Sequence, residues 1–489
     1  MTKLSRLFFD SPARYLLFLA AILQLTLVLG LYTMGRLAVS PKQIDEHGLL
    51  TSVFADTQIY QPQATDAVET LKHSGIKAWL LFPADAHVKL YSLSYLVFGP
   101  LVGNNIVGAE PLNLVCYLAI LILVAKFGTE VLDQRAGRAA AAAVAVWPSF
   151  LLHNAQVLKD PICVIALLTS TLVMALWLTR KLSWRMGLLT GLLGGAAIGL
   201  IYATRAGFWI PVILGFVLIG AALLIVRQIS QRSLLVGNIL SMSLLLLFAV
   251  GSLFFTEGFL EITRAWTSPH RALSIPQNAQ PSAATVSTPQ NAQTAPVAQS
   301  SPRENQDPPN VRFPLHSPPE RTNRLVIKIQ QVRDSFAYRY QDSGTLIDQD
   351  VEFITVADVL RYLPRAIEIG FLAPFPNKWL APGRIVGLAG RLLSGGEMLA
   401  AYIIELLALF GVWRARDRLT TWLLFCTILF GVTTLGLGLN NVGALYRMRY
   451  GFFVLLIMLG MYGLTQVRQS IPEYSVVGED RLAASGSIT

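Results

Sequence analysis

LLHNAQVLKDPICVIALLTSTLVMALWLT, Leu151 to Thr179, is the stretch from which the fold class can be read. No charged residue occurs from Pro161 to Thr179. A helix of about 20 apolar residues crosses the hydrocarbon core of a bilayer. Just ahead of this run stand Lys159 and Asp160, where one apolar run ends and the next begins. Ionisable groups at that depth are costly and need a reason to be there.

Working outward, apolar runs of similar length recur along the chain. Ten spans are expected, at 14–36, 108–127, 138–155, 161–179, 186–203, 207–226, 234–255, 392–413, 419–438 and 447–466. Hydrophobic residues make up 53% of the chain and charged residues 14%. A soluble domain carries about 25% charged residues. The fold class is therefore all-α polytopic membrane protein. The first run is long and lacks a small-residue cleavage site, so it reads as a retained span. Cys116, Cys163 and Cys426 each fall inside an apolar run, which gives neither a disulfide nor a metal framework.

The formal charge of +10 has a topological cause. Lys3, Arg6 and Arg14 precede the first span, and Arg180, Lys181 and Arg185 separate the fourth and fifth. Arg227 and Arg232 lie between the sixth and seventh, and Arg414, Arg416 and Arg418 between the eighth and ninth. These alternate short loops agree, so both termini are expected in the cytoplasm, with no nucleic-acid partner. Two long segments then lie outside, 37–107 and 256–391. The chain divides into an N-terminal transmembrane module (1–255), the second outer segment (256–391), C-terminal helices (392–466) and a cytoplasmic tail (467–489). Within the second outer segment, 274–312 is rich in Pro, Gln, Ala and Ser and is expected to be disordered. Residues 356–373 read as an amphipathic helix on the membrane surface, stopped by Pro374 and Pro376.

Lys159, Arg205, Arg447 and Arg449 break this pattern, because they stand at outer ends of spans and come from three loops. A lone cation in such a place more often pairs locally or snorkels to headgroups. Four together suit the phosphate of a lipid whose tail lies in the bilayer. The first outer segment supplies acids, with Asp56 and Tyr60 in VFADTQIYQPQ and Asp85 and His87 further on. A carboxylate in that position can serve as a general base, although a single loop acid is more often only solvated.

The order of these features resembles the bacterial polytopic glycosyltransferases of the GT-C superfamily, including protein O-mannosyltransferases and the aminoarabinose transferase of lipid A. The resemblance rests on an acid in the first outer loop, HVKLYSLSYLVFGPLVGNNIVGAEPLNLVCYLAILILVAKFG (His87 to Gly128), WPSFLLHNAQVLKDP, and RMRYGFFVLLIMLG near the last span. It covers residues 14–230 and, more loosely, 355–466. It implies a sugar donor linked to polyprenyl phosphate, a glycan, lipid or protein acceptor, and a place in the bacterial inner membrane. Asp56 falls at the position of the catalytic base, in a D-x-x-x-Y pattern with Tyr60. Many members carry two adjacent acids there, whereas Thr57 follows Asp56 here. Lys159, Arg205, Arg447 and Arg449 are then expected on the donor phosphate, with Tyr60, His87 and Asp160 in support. Asp160 would hold Lys159, or bind acceptor or metal. The rival reading is an ion pair at the start of the next helix, where an acid is favourable by about 0.3–1 kcal/mol.

No GxGxxG, P-loop or zinc motif competes, and the His spacing fits no closed metal site, while a divalent cation is left open. Other readings are a glycan polymerase or ligase using a lipid-pyrophosphate oligosaccharide, and a non-catalytic glycan-assembly protein. A transporter or flippase is disfavoured by the lack of inverted repeats and by spans nearly free of charge.

Overall fold

The computed structural model of the chain describes residues 11–54, 56–205, 209–232, 234–267, 323–341, 344–380 and 387–470. The insert expected at 274–312 lies outside them, as does the tail from 471 onward.

The described residues form a helical bundle. The first span is α1 (Ser11–Arg36). The segment after it holds α2 (Thr57–Leu81), which kinks at Gly75, and α3 (Ala86–Val102). Then come α4 (Ile106–Val131), α5 (Gln134–Ala145), α6 (Pro148–Asn154), α7 (Asp160–Thr179), α8 (Trp184–Thr204), α9 (Trp209–Gln231) and α10 (Val236–Thr267). Beyond the insert are α11 (Arg324–Arg339), α12 (Val356–Leu372), α13 (Gly387–Arg414), α14 (Leu419–Gly438), the short α15 (Val442–Met448) and α16 (Tyr450–Ser470).

Among the described residues, 8 helices are long and apolar enough to cross a membrane, and Val236–Ser252 adds a shorter apolar stretch. The chain is a multi-pass helical membrane protein. The expected span at 138–155 differs: it is two short helices, α5 and α6, that break at Trp147. The residue before a proline is pushed out of the helical region, and Pro148 then starts a new helix where its missing N–H costs nothing. Hydropathy runs smoothly across the break, so composition alone hides it.

Small residues set the helix contacts. Gly128 of α4 meets Gly137 of α5, Gly187 of α8 meets Gly237 of α10, and Gly411 of α13 meets Gly463 of α16. Helices in lipid associate through such close approaches rather than through burial of oil from water. Apolar side chains such as Phe18 and Leu19 on α1 and Leu406 and Leu409 on α13 point outward.

One end of the bundle gathers the basic loops. Arg180 pairs with Glu130, with Nε 2.8 Å from the carboxylate. Arg227 donates to the Arg180 carbonyl at 2.9 Å, and Arg418 to the Leu132 carbonyl at 2.9 Å. Arg227 and Arg418 thereby satisfy carbonyls that helix C-termini leave open.

The helix expected at 356–373 forms as α12. Its start is a capping box, in which the Thr355 N–H donates to Asp358 at 2.8 Å and the Asp358 N–H to Thr355 Oγ1 at 3.3 Å. It docks on α14, with Gly370 against Val432 and Gly436 against the Ala366 carbonyl.

Candidate functional site

At the end opposite the basic loops, the chain draws charged side chains from several elements to one place. The stretch Leu151–Pro161 is its frame. α6 ends at Asn154, a turn follows, and α7 begins at Asp160. The buried Tyr91 hydroxyl of α3 donates to Asn113 Oδ1 at 2.7 Å and accepts from the Leu158 N–H at 3.3 Å. Gln156 Oε1 accepts from the Leu50 N–H at 2.9 Å, which ties this turn to the segment leading to Asp56. His153 stands edge-on between Phe54 (4.6 Å) and Tyr450 (4.7 Å), with Nδ1 2.6 Å from the Ser149 carbonyl.

On that frame, Asp160 is the buried hub. It pairs with Arg205, at the end of α8, and with Arg447 of α15, whose Nε lies 3.1 Å from Oδ2. Arg447 also reaches Asp56 Oδ2 through Nη2. Asp56 precedes α2 but makes no side-chain cap bond, so its carboxylate is not spent on the helix. Burial works against the Arg447 charge, yet Asp160 and Asp56 outweigh it and hold its pKa above the ordinary value.

Lys159 faces the other way. Its Nζ lies 4.0 Å from Asp85 and 5.6 Å above the Tyr60 ring. Burial, then Arg205, lower its pKa. Tyr60 packs edge-on against His87 at 4.4 Å. Burial, then Asp56, raise the Tyr60 pKa, so the phenol stays protonated. His87 is fully buried, 3.8 Å from Asp85, and neither ring nitrogen has a hydrogen-bond partner among the described residues. Burial, then Lys159, push its pKa down to about 3, so the imidazole is neutral.

Seven of the eight residues named from the sequence thus converge: Asp56, Tyr60, His87, Lys159, Asp160, Arg205 and Arg447. Two details differ from expectation. Asp160 engages Arg205 and Arg447 rather than Lys159, because successive residues on a helix do not face each other. Asp160 also makes no cap bond, since the cap position is Lys159 and no side chain closes it. Arg449 is the residue left out. It follows Arg447 by two positions, about 200° round a helix. Its buried guanidinium donates to the Gly370 and Phe371 carbonyls at 2.9 and 3.0 Å and sits 4.9 Å over Tyr446.

Asp85 is the member that the sequence places only among the loop acids. It stands two residues before His87, and that spacing alone gives no sign of a partner in Lys159. Charges in the cluster balance: Asp56, Asp85 and Asp160 face Lys159, Arg205 and Arg447. Among the described residues, no three His, Cys, Asp or Glu side chains converge on a point that a metal ion would fill.

One space adjoins the cluster, and a second lies beyond it. The first, of about 10 Å³ and so with room for about one water, lies against it and is lined by Asp160, Cys163, Leu167, Arg205, Arg447 and Gly451. The other is a cavity of about 580 Å³ beside the first turns of α2, with Gln61, Thr65, Asn104 and Asn105 among its polar walls. The larger space is not at the charges, but it shares α2 with Asp56 and Tyr60.

No family model, curated protein or solved structure matches this chain. The class that the fold and this cluster define is a multi-pass membrane protein with an ionised pocket at one end of its bundle.

Proposed function

We propose that the protein is a glycosyltransferase of the bacterial inner membrane that acts on the outer face, with both termini in the cytoplasm. The donor is a sugar on polyprenyl phosphate, and the acceptor is a hydroxyl on a glycan, lipid or protein. The observation that carries this reading is the meeting of Asp56, Lys159, Asp160, Arg205 and Arg447, from four elements, at one end of the bundle. Ionised groups at span ends are costly even when paired, and such clusters characteristically mark substrate or ion pathways.

The donor phosphate competes with the carboxylates for Lys159, Arg205 and Arg447, while its lipid enters beside the apolar floor near Leu167. Arg447 turning from Asp56 to phosphate frees an Asp56 lone pair. Asp56 takes the proton of the acceptor hydroxyl, and that oxygen attacks the anomeric carbon. The bond from that carbon to the phosphate oxygen breaks, and its electron pair stays on the departing polyprenyl phosphate. Attack from the side opposite the phosphate inverts the anomeric carbon. The three cations stabilise the charge that develops, an effect commonly worth about 3–4 kcal/mol per well-placed donor. Asp160 holds two of them at fixed spacing. The amide-rich cavity beside α2 suits an acceptor rich in hydroxyls.

The test is a surface-glycan profile of cells lacking the gene, with and without the restored wild-type chain. One glycan should be lost and then regained. An unchanged profile in the deletion would overturn the reading.

A further inference from the structure

The residue left outside the cluster has a use. α15, which carries Arg447, is a helix of only two turns, and short helices are marginal without external support. The second long segment grips it at both ends. At its start, the Val442 N–H donates to the Thr345 carbonyl at 3.0 Å and the Ile347 N–H to the Asn440 carbonyl at 2.8 Å. Asn441 Nδ2 adds a bond to Thr345 Oγ1 at 2.8 Å, while its Oδ1 caps α15 through the Ala444 N–H. At its end, Arg449 reaches the last carbonyls of α12, where open acceptors and the helix dipole both favour a cation. Between the two, the Tyr446 hydroxyl donates to the buried Glu397 of α13.

The gripping segment is itself braced. Arg365 pairs with Asp348 through two bonds, at 3.0 and 3.2 Å, and the Tyr362 hydroxyl donates to the same carboxylate at 2.9 Å. Buried Arg333 donates to the Asp348 carbonyl at 2.8 Å and to the Leu437 carbonyl of α14 at 3.2 Å. Residues 345–372 are thereby fixed to α14, and α15 is fixed to them.

We infer that Arg449 is a positioning residue: by anchoring α15 on the end of α12, it holds Arg447 where it spans Asp56 and Asp160. This rests on the donor-phosphate reading of Arg447. Arg449 touches no substrate in this scheme and acts through its neighbour two residues away.

The test is a double-mutant cycle on the full-length protein in detergent, with farnesyl phosphate as probe and hydrogen exchange of residues 442–449 as a second readout. Arg449→Met should weaken binding about ten-fold, within the range for coupled neighbours. Combined with Arg447→Met, it should add almost nothing. It should also speed exchange over 442–449 while the spans stay protected. Should Arg449→Met fail to fold, Asn441→Ala loosens the other end of α15 and should act in the same direction. Additive losses, or an unaffected Arg449→Met where Arg447→Met binds weakly, would overturn the inference. If Arg447→Met binds as well as wild type, the phosphate reading fails instead. Exchange then decides alone: faster exchange in Arg449→Met keeps the anchor, and unchanged exchange removes it.

Discussion

Asp160 holds two guanidinium groups from elements far apart in sequence, and little water reaches it. Removing one member of a buried pair strands the others. Asp160→Ala should cost about 3–5 kcal/mol of stability. A thermal melt in detergent checks this, and Asp160→Asn should lose less because it still accepts a hydrogen bond. His87 gives a pH signature. Its folded pKa, about 3, lies below the ordinary 6.5. The unfolded chain therefore binds the proton first, and the stability due to neutral His87 is present above about pH 6.5 and declines as pH falls toward 3. His87→Phe should flatten that part of the profile of melting temperature against pH. Lys159, Arg205 and Arg447 are legible in the sequence because the topology expected from the other basic loops leaves them unexplained. Their partners are not, because pairing depends on which way each side chain leaves its helix. The RMR spacing at Arg447 and Arg449 carries the warning, since residues two apart on a helix diverge.

At the level of elements, long apolar runs announce themselves and breaks do not. The runs at 161–179 and 419–438 form α7 and α14 nearly residue for residue. The run at 138–155 divides, and the signal is Pro148, outweighed by the apolar residues on either side. The helices after the first span are not legible in the sequence. α2 is largely polar, and α3 is apolar but, at 17 residues, shorter than a span; α2 packs on α3, which in turn packs on α4. Glycine contacts are equally hidden, because a glycine in a span says nothing of its neighbour. A Cβ at Gly463 would overlap the Leu407 carbonyl oxygen. Gly463→Val should therefore push α13 and α16 apart and cost about 1–3 kcal/mol, seen as a lower melting temperature. Gly30, which has open space where a Cβ would point, should tolerate alanine.

For the whole molecule, alternation of spans puts Asp66 and Arg416 at opposite ends, and both side chains are exposed. With the native cysteines replaced, Asp66→Cys should react with an impermeant thiol reagent added to intact cells, and Arg416→Cys should react only after lysis. The reverse pattern would invert the topology and put the charged cluster in the cytoplasm. The cluster also ties the molecule together, since Asp56 belongs to the first long segment and Arg447 to α15, the last but one of the described helices. The measurement that goes straight to the proposed chemistry is restoration of the missing surface glycan by Asp56→Asn at membrane abundance matched to wild type. The expected result is that wild type restores it and Asp56→Asn does not. Full restoration by Asp56→Asn would contradict a base at Asp56.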